Sequence, residues 1–258
     1  PGGSVAGRER ADQLVASQGL AESREQAKRL IMAGEVFVLV RGQKTPVAKP
    51  GQMFPPDTEF LVHGQERFVS RGGFKLLTAI EELGFHPSGL VCLDAGASTG
   101  GFTDCLLQFG AARVYAADVG YGQLHWKLRQ DPRVVVLERV NLKDPPADLL
   151  PEPVDCITAD VSFISVTKVL AGCLRFLKPG GLVAALIKPQ FELGPGRTDK
   201  GVVRDEADRL EAVASVTTFC RSLGLERVGL APAGITGPKG NQEYLALFQR
   251  LGGRREPE

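Results

Sequence analysis

The sequence predicts an α/β protein: a mostly parallel sheet with helices on both faces and an antiparallel edge, preceded by a small α+β module. Three observations predict it. Short apolar runs alternate with helical stretches from Leu90 to near the end. A glycine-rich turn follows the first of those runs. The N-terminal stretch carries its own helix and strand periods and its own turns. The 258 residues suit one large domain plus a small one, at about 150 residues per domain. Hydrophobic residues at 43% and charged residues at 24% exclude a disordered or fibrous chain.

No apolar run approaches the roughly 18–20 residues that span a bilayer. The longest clean run, Leu182 to Ile187, is strand-sized, so no membrane insertion is expected. Pro1-Gly2-Gly3-Ser4 shows no basic-then-apolar leader pattern. Cys92, Cys105, Cys156, Cys173 and Cys220 are scattered, with no C-x-x-C, which fits a reducing cytoplasm. The three histidines show no metal-ligand spacing, so no metal is expected. Net charge is only +1, so any nucleic-acid contact must rest on local basic clusters.

Residues 1–63 read as the small module. Ala11, Leu14 and Val15 follow helical spacing, with Gly19 as a stop. Ser23 opens a second helix, Gln26 completes a capping box, and Ala27, Leu30 and Ile31 form the buried stripe. Val36, Val38 and Val40 alternate like a half-buried strand before the Arg41-Gly42 turn. Lys49-Pro50-Gly51 is another turn, and Phe60-Leu61-Val62 closes the module. Arg24 and Lys28 put two like charges on one helix face, which makes sense if that face meets phosphate. A merely solvated face is the alternative, supported by Glu25 four residues before Arg29.

The run Gly19-Leu20-Ala21-Glu22-Ser23-Arg24-Glu25-Gln26-Ala27-Lys28-Arg29-Leu30-Ile31-Met32-Ala33-Gly34-Glu35-Val36, followed by Lys49-Pro50-Gly51, resembles the RNA-binding domain named after ribosomal small-subunit protein four. Val40-Arg41-Gly42 departs from the Val-Asn-Gly common in that family. The resemblance implies RNA contact, with Arg8, Arg10, Arg24, Lys28, Arg29 and Lys49 as candidates.

Residues 64–73, ending in Arg71-Gly72-Gly73, read as a linker, residues 74–252 as the large domain and residues 253–258, with Arg254-Arg255, as a solvated tail. Arg71 joins the RNA-contact candidates. Leu76, Leu77, Ile80 and Leu83 mark a helix. Strand-like runs follow at Leu90–Leu93, Val114–Ala117, Val134–Leu137, Cys156–Ala159, Leu182–Ile187, Val228–Leu230 and Tyr244–Phe248. Their alternation with helices makes a Rossmann-like sheet, the last two runs forming a hairpin-like edge across Gly234, Gly237 and Gly240.

Ligands bind beyond the carboxyl ends of such strands. The first strand leads into Asp94-Ala95-Gly96-Ala97-Ser98-Thr99-Gly100-Gly101-Phe102. Ser98 stands where a dinucleotide fingerprint needs its second glycine, the one that makes room for pyrophosphate. That favours S-adenosylmethionine over NAD. Asp118 ends the second strand, 24 residues beyond Asp94 (118 − 94), where a carboxylate can accept from both ribose hydroxyls. Val119 follows it. Asn141 and Asp160, after the third and fourth strands, are placed to reach the adenine and methionine ends.

Methyl transfer is an in-line displacement, so the protein must align the nucleophile and manage its proton. Attack from pyrimidine carbon five uses a cysteine, usually in a Pro-Cys context, which is absent. Attack from a base nitrogen usually comes with Asp/Asn-Pro-Pro-aromatic, and the chain has Asp160-Val161-Ser162-Phe163. A ribose hydroxyl needs a strong base. Lys188 ends the fifth strand, and burial near a second cation, Lys75, favours a neutral amine there. Asp160 and Glu243 could orient the pair. A lone lysine at a strand end is more often a solvated one.

Lys75, Asp160, Lys188 and Glu243 resemble the Lys-Asp-Lys-Glu tetrad of the FtsJ-like ribose 2′-O-methyltransferases. The whole chain resembles the TlyA family, which joins that fold to the small RNA-binding domain. The segments that carry it are 69–76, 94–104, 118–124, 159–165, 188–192 and 240–245. The resemblance implies 2′-O-methylation of cytidine in ribosomal RNA or ribosomal subunits, with S-adenosylmethionine as cofactor. It implies Lys188 as base or stabiliser of the alkoxide, with Asp160, Lys75 and Glu243 orienting. Members are also labelled haemolysins. A membrane-active haemolysin and a non-catalytic RNA-binding factor are the alternatives. The stretch from Phe191 to Val203, with Arg197 and Lys200 and followed by Arg204, reads as a lid, an RNA-contacting loop or a plain connection. Trp126 is expected in the core.

Overall fold

The computed structural model describes residues 7–18, 20–40, 43–56, 58–64, 67–194 and 196–252. Pro1-Gly2-Gly3-Ser4, Gly19, the Arg41-Gly42 turn and the tail at 253–258 lie outside the described residues. The chain divides into two compact units between Arg67 and Phe68.

In the smaller unit, β1 (Glu9–Arg10) pairs antiparallel with β4 (Met53–Phe54). Helices α1 (Ala11–Ser17) and α2 (Arg24–Met32) pack over a three-stranded antiparallel sheet. Its middle strand is β2 (Val36–Val40), flanked by β3 (Gln43–Pro46) and β5 (Phe60–Val62). Ala11, Leu14, Val15, Ala27, Ile31, Val36, Val38, Phe60 and Val62 form the core, as the sequence periods require. Ser23 Oγ accepts from Gln26 N at 3.2 Å and caps α2. The reciprocal bond is shifted by one residue, with Gln26 Oε1 accepting from Glu22 N at 2.6 Å.

The larger unit holds seven strands in the order β11-β12-β10-β9-β6-β7-β8. These are β6 (Val91–Ala95), β7 (Arg113–Ala117), β8 (Val134–Leu137), β9 (Val154–Ala159), β10 (Leu177–Ile187), β11 (Leu225–Pro232) and β12 (Tyr244–Arg250). Strands β6 to β10 are parallel, while β12 runs antiparallel to both β10 and β11. The expected hairpin edge is therefore half interior. Tyr244 to Phe248 are buried on both faces, so β12 enters the sheet. In β11, Val228 is 54% exposed beside Glu226 and Arg227, a composition that suits an edge.

Helices α3 (Gly72–Leu83) and α4 (Gly101–Gln108) cover one face. Helices α6 (Val166–Cys173) and α8 (Glu206–Ser222) cover the other. Two short helices, α5 (Trp126–Arg129) and α7 (Pro189–Glu192), follow β7 and β10. All five cysteines are buried thiols.

Two sequence expectations fail here. Phe68 to Gly73 were expected in a linker, yet Phe68 is buried in the core under α3 and Val69 N donates to Asp104 Oδ2 at 2.8 Å. An aromatic beside valine has apolar area to bury, which a linker would leave wet. Trp126 was expected in the core and is 65% exposed. Helix α5 is a single turn whose buried position is Leu128, and residues two apart on a helix face differently.

Candidate functional site

The parallel strands deliver their carboxyl ends to one edge of the sheet, and two cavities lie there. One, of about 390 Å³, is lined by the turn after β6, by Asp118 and Val119 after β7, by Asn141, and by Asp160 to Ile164 after β9. The other, of about 230 Å³, is lined by Arg71, Lys75, Asp160, Ser162, Lys188 and the 236–238 wall, among others. Gly96, Ser98, Asp160 and Ser162 line both.

The turn after β6 is built from inside. Asp94 is fully buried, and its carboxylate accepts from Thr103 Oγ1 at 2.7 Å and Thr158 Oγ1 at 3.0 Å. Burial pushes its carboxyl up to about 6; the two threonine hydroxyls pull it back, and the Asp160 charge adds to the rise. Asp94 lines neither cavity and supports the turn from below. Gly96 sits at φ +89, and a Cβ there would stand 2.6 Å from Asp160 O. At Gly101 a Cβ would stand 2.3 Å from Ser70 Oγ and 2.8 Å from Gly73 N, so glycine permits α4 and α3 to start side by side. Gly100 packs on Leu124 and Leu128. Phe102 is buried, whereas Ser98 and Thr99 are exposed at the cavity. Ser98 adopts the left-handed conformation itself, at φ +51.

Asp118 Oδ2 accepts from Ser98 N at 2.8 Å and Oδ1 from Gly120 N at 2.7 Å. A carboxylate offers about four acceptor sites, so capacity remains for hydroxyls. Val119 is 73% exposed beside it. Asn141 Oδ1 accepts from Lys143 N at 3.2 Å at the same cavity. The lining fits a group that is cationic and carries vicinal hydroxyls. Two carboxylates, Asp118 and Asp160, line it against one exposed lysine, Lys143, and a pyrophosphate would be repelled. That matches S-adenosylmethionine.

The four residues of the expected tetrad fall into two charge pairs. Lys188, at the end of β10, is buried with Nζ 2.5 Å from Asp160 Oδ1. This is close charge contact without hydrogen-bond alignment, since that buried oxygen has no aligned donor. Lys188 Nζ does donate to Ser162 Oγ at 2.9 Å. Lys75, on the first turn of α3, is buried and donates to Glu243 Oε2 at 2.6 Å. Glu243, just before β12, is fully buried, and Gln190 Nε2 donates to its Oε1 at 3.1 Å. Both lysines line the 230 Å³ cavity. Two amino groups steered by carboxylates around a small polar cavity can hold a hydroxyl and manage its proton. Ser162 and Gln190, the hydrogen-bond partners of Lys188 and Glu243, are absent from the sequence-based candidates: both are neutral, and only their closeness in sequence to Asp160 and Lys188 points to them.

The basic residues divide. Arg10 Nε and Nη2 donate to Asp12 Oδ1 and Oδ2, both at 3.0 Å, and Arg24 Nε donates to Asp12 Oδ2 at 3.0 Å. Lys28 pairs with Glu25 at 2.6 Å, in place of the expected Glu25–Arg29 pair. The like charges of Arg24 and Lys28 are thus each met by a carboxylate, and phosphate is not needed to explain them. Arg8, Arg29 and Lys49 are exposed without an ion pair among the described residues. In the larger unit, exposed Arg71 donates to Thr236 O at 2.7 Å on the rim of the 230 Å³ cavity.

The stretch after α7 is fastened. Arg197 contacts Asp208 at 2.5 Å and Glu211 at 2.6 Å on α8, and Arg204 pairs with Asp199 at 2.8 Å. Asn241 ties it to the β11–β12 connection through Val203 N at 3.0 Å and Gly201 O at 2.9 Å. Its arginines are ion-paired within the protein, as Arg10 and Arg24 are in the smaller unit.

Residues 68–250 match the FtsJ-like methyltransferase family and residues 9–38 match the S4 domain. The chain is 44% identical over 243 residues to the 16S/23S rRNA (cytidine-2′-O)-methyltransferase TlyA of Mycobacterium tuberculosis, covering 93% of this chain and 89% of that protein. It is 42% identical over 241 residues to Hemolysin A of Brachyspira hyodysenteriae, covering 93% and 99%. A solved structure of a hemolysin-labelled protein from Streptococcus thermophilus superposes with a TM-score of 0.71 at 41% identity, covering 96% of this chain and 90% of that one. The chain belongs to the FtsJ-like methyltransferase family, in the TlyA branch that carries an S4 domain ahead of the methyltransferase domain.

Proposed function

We propose that this chain methylates the 2′-hydroxyl of a ribose, that of cytidine, in ribosomal RNA, and that it works in the cytoplasm. The observation that carries this reading is the pairing of Lys188 with Asp160 on the wall of a cavity that also receives Lys75 and borders the glycine-rich turn. S-adenosylmethionine, when bound, supplies a methyl group on a sulfonium that needs no further activation. Asp118, Val119, Asn141, Ser98 and Asp160 are the residues suited to hold it, since they line the larger cavity. Lys188 stabilises the 2′-oxygen as charge develops on it, and takes the hydroxyl proton only once its own extra proton has passed to Asp160. Asp160 and Ser162 hold the Lys188 amino group in place, and Glu243 holds that of Lys75. The S4 match and the name of the Mycobacterium tuberculosis relative support an RNA substrate. Exposed Arg8, Arg29 and Lys49 remain available to phosphates, and Arg10 and Arg24 have guanidinium donors beyond those that grip Asp12.

The test is transfer of labelled methyl onto isolated ribosomal subunits, followed by alkaline hydrolysis. A methylated 2′-oxygen cannot attack the neighbouring phosphate, so label is expected in alkali-resistant dinucleotides with cytidine on the 5′ side. Label on a base, or none in RNA, contradicts the reading. The name Hemolysin A on a relative carries a second reading, membrane lysis. Among the described residues no helix is long and apolar enough to cross a membrane. Lysis of erythrocytes by the purified protein without cofactor would favour it.

A further inference from the structure

Strand β10 ends at Ile187 and helix α7 begins at Pro189, with Lys188 between them. Pro189 takes the first position of α7, where its fixed φ stiffens the turn. That turn serves both charge pairs. Lys188 meets Asp160 and Ser162, while Gln190 Nε2 reaches Glu243 Oε1 at 3.1 Å, and Glu243 Oε2 in turn accepts from Lys75 at 2.6 Å.

The Gln190 amide makes this bond at the expense of its own oxygen. Its Oε1 is buried with no donor. Turning the amide over would set that oxygen where Nε2 now stands, 3.1 Å from Glu243 Oε1, acceptor against acceptor. The carboxylate therefore dictates which way the amide faces. Gly237 closes the other side, where a Cβ would stand 2.1 Å from Glu243 Oε1. Glu243 is pinned by a donor on each oxygen and by backbone beside it.

We propose that Gln190 is a positioning residue for methyl transfer. It fixes the Glu243 carboxylate, and through it the Lys75 amino group, at a set spacing from Lys188. The inference rests on the methyltransferase reading above and adds a residue to it. Gln190→Met tests it, since methionine keeps the side-chain length and loses the N–H donor. Gln190→Ala serves the same comparison where the methionine variant folds poorly.

With isolated ribosomal subunits as substrate, kcat is expected to fall about 10- to 100-fold, the size of effect a small misplacement produces. KM for RNA and cofactor affinity by calorimetry should stay near wild type, as for an interaction used only in the chemical step. A second readout needs no turnover. Brief acetylation with acetic anhydride, mapped by mass spectrometry with exposed Lys178 as reference, should label Lys75 severalfold more in the variant. An unchanged kcat overturns the proposal, and so does a lower kcat with Lys75 labelling unchanged. A wild-type protein that transfers no methyl overturns the methyltransferase reading instead, and Lys75 labelling still decides whether Gln190 positions that amine.

Discussion

Ser98 N donates to Asp118 Oδ2 at 2.8 Å, and this bond joins the turn after β6 to the end of β7. The other carboxylate oxygen accepts from Gly120 N, so one side chain shapes two loops of the 390 Å³ cavity. Asp118→Asn must set an amide N–H against one of those backbone donors. Cofactor affinity is expected to fall at least about tenfold, or roughly 1.4 kcal/mol, by calorimetry. Wild-type affinity in the variant would remove Asp118 from the cofactor site.

Asp94 should make stability fall as pH rises. Its folded value, pushed from 3.8 to about 6, is about 3 kcal/mol against the charged form, at roughly 1.4 kcal/mol per unit. The contribution is fully present below about pH 3.8 and is lost as pH rises through about 6. Asp94→Asn carries no charge at any pH. Urea unfolding from about pH 4 to about pH 7 should show wild type losing about 2 kcal/mol relative to that variant. Parallel curves would mean that Asp94 does not carry the burial penalty.

Much of this could be read from residue order. Leu182 to Ile187 is apolar throughout because β10 is covered on both faces, and a continuous run leaves that mark. Three of the four charged residues of the site, Asp160, Lys188 and Glu243, stand beside strand ends, where an α/β sheet presents its ligands, and Lys75 comes from the first turn of α3. The partners that complete the site leave no such mark. Gln190 and Ser162 act through single hydrogen bonds, which have no periodicity. Asp12 lies two residues from Arg10 but reaches Arg24 only through the fold. Trp126 misled because one indole carries no period, and its surroundings decide which way it faces.

The same Asp12 sets a prediction for the smaller unit. The Arg10 bond is the main cause that holds its carboxyl below the usual range, outweighing burial, with Arg24 adding to it. That stability is present above about pH 3.8 and is lost as pH falls through the depressed value. Asp12→Asn should cost about 1–3 kcal/mol near neutral pH, read by amide exchange in α1 and α2. The difference from wild type should shrink in acid, where the native side chain is also neutral. A difference that persists unchanged to about pH 2 would contradict the ion-pair account.

Lys188→Ala tests the central claim. The variant should bind S-adenosylmethionine near the wild-type affinity by calorimetry and transfer no labelled methyl to ribosomal subunits under conditions where the wild type does. Transfer at the wild-type rate would contradict the assignment of Lys188 to the 2′-hydroxyl.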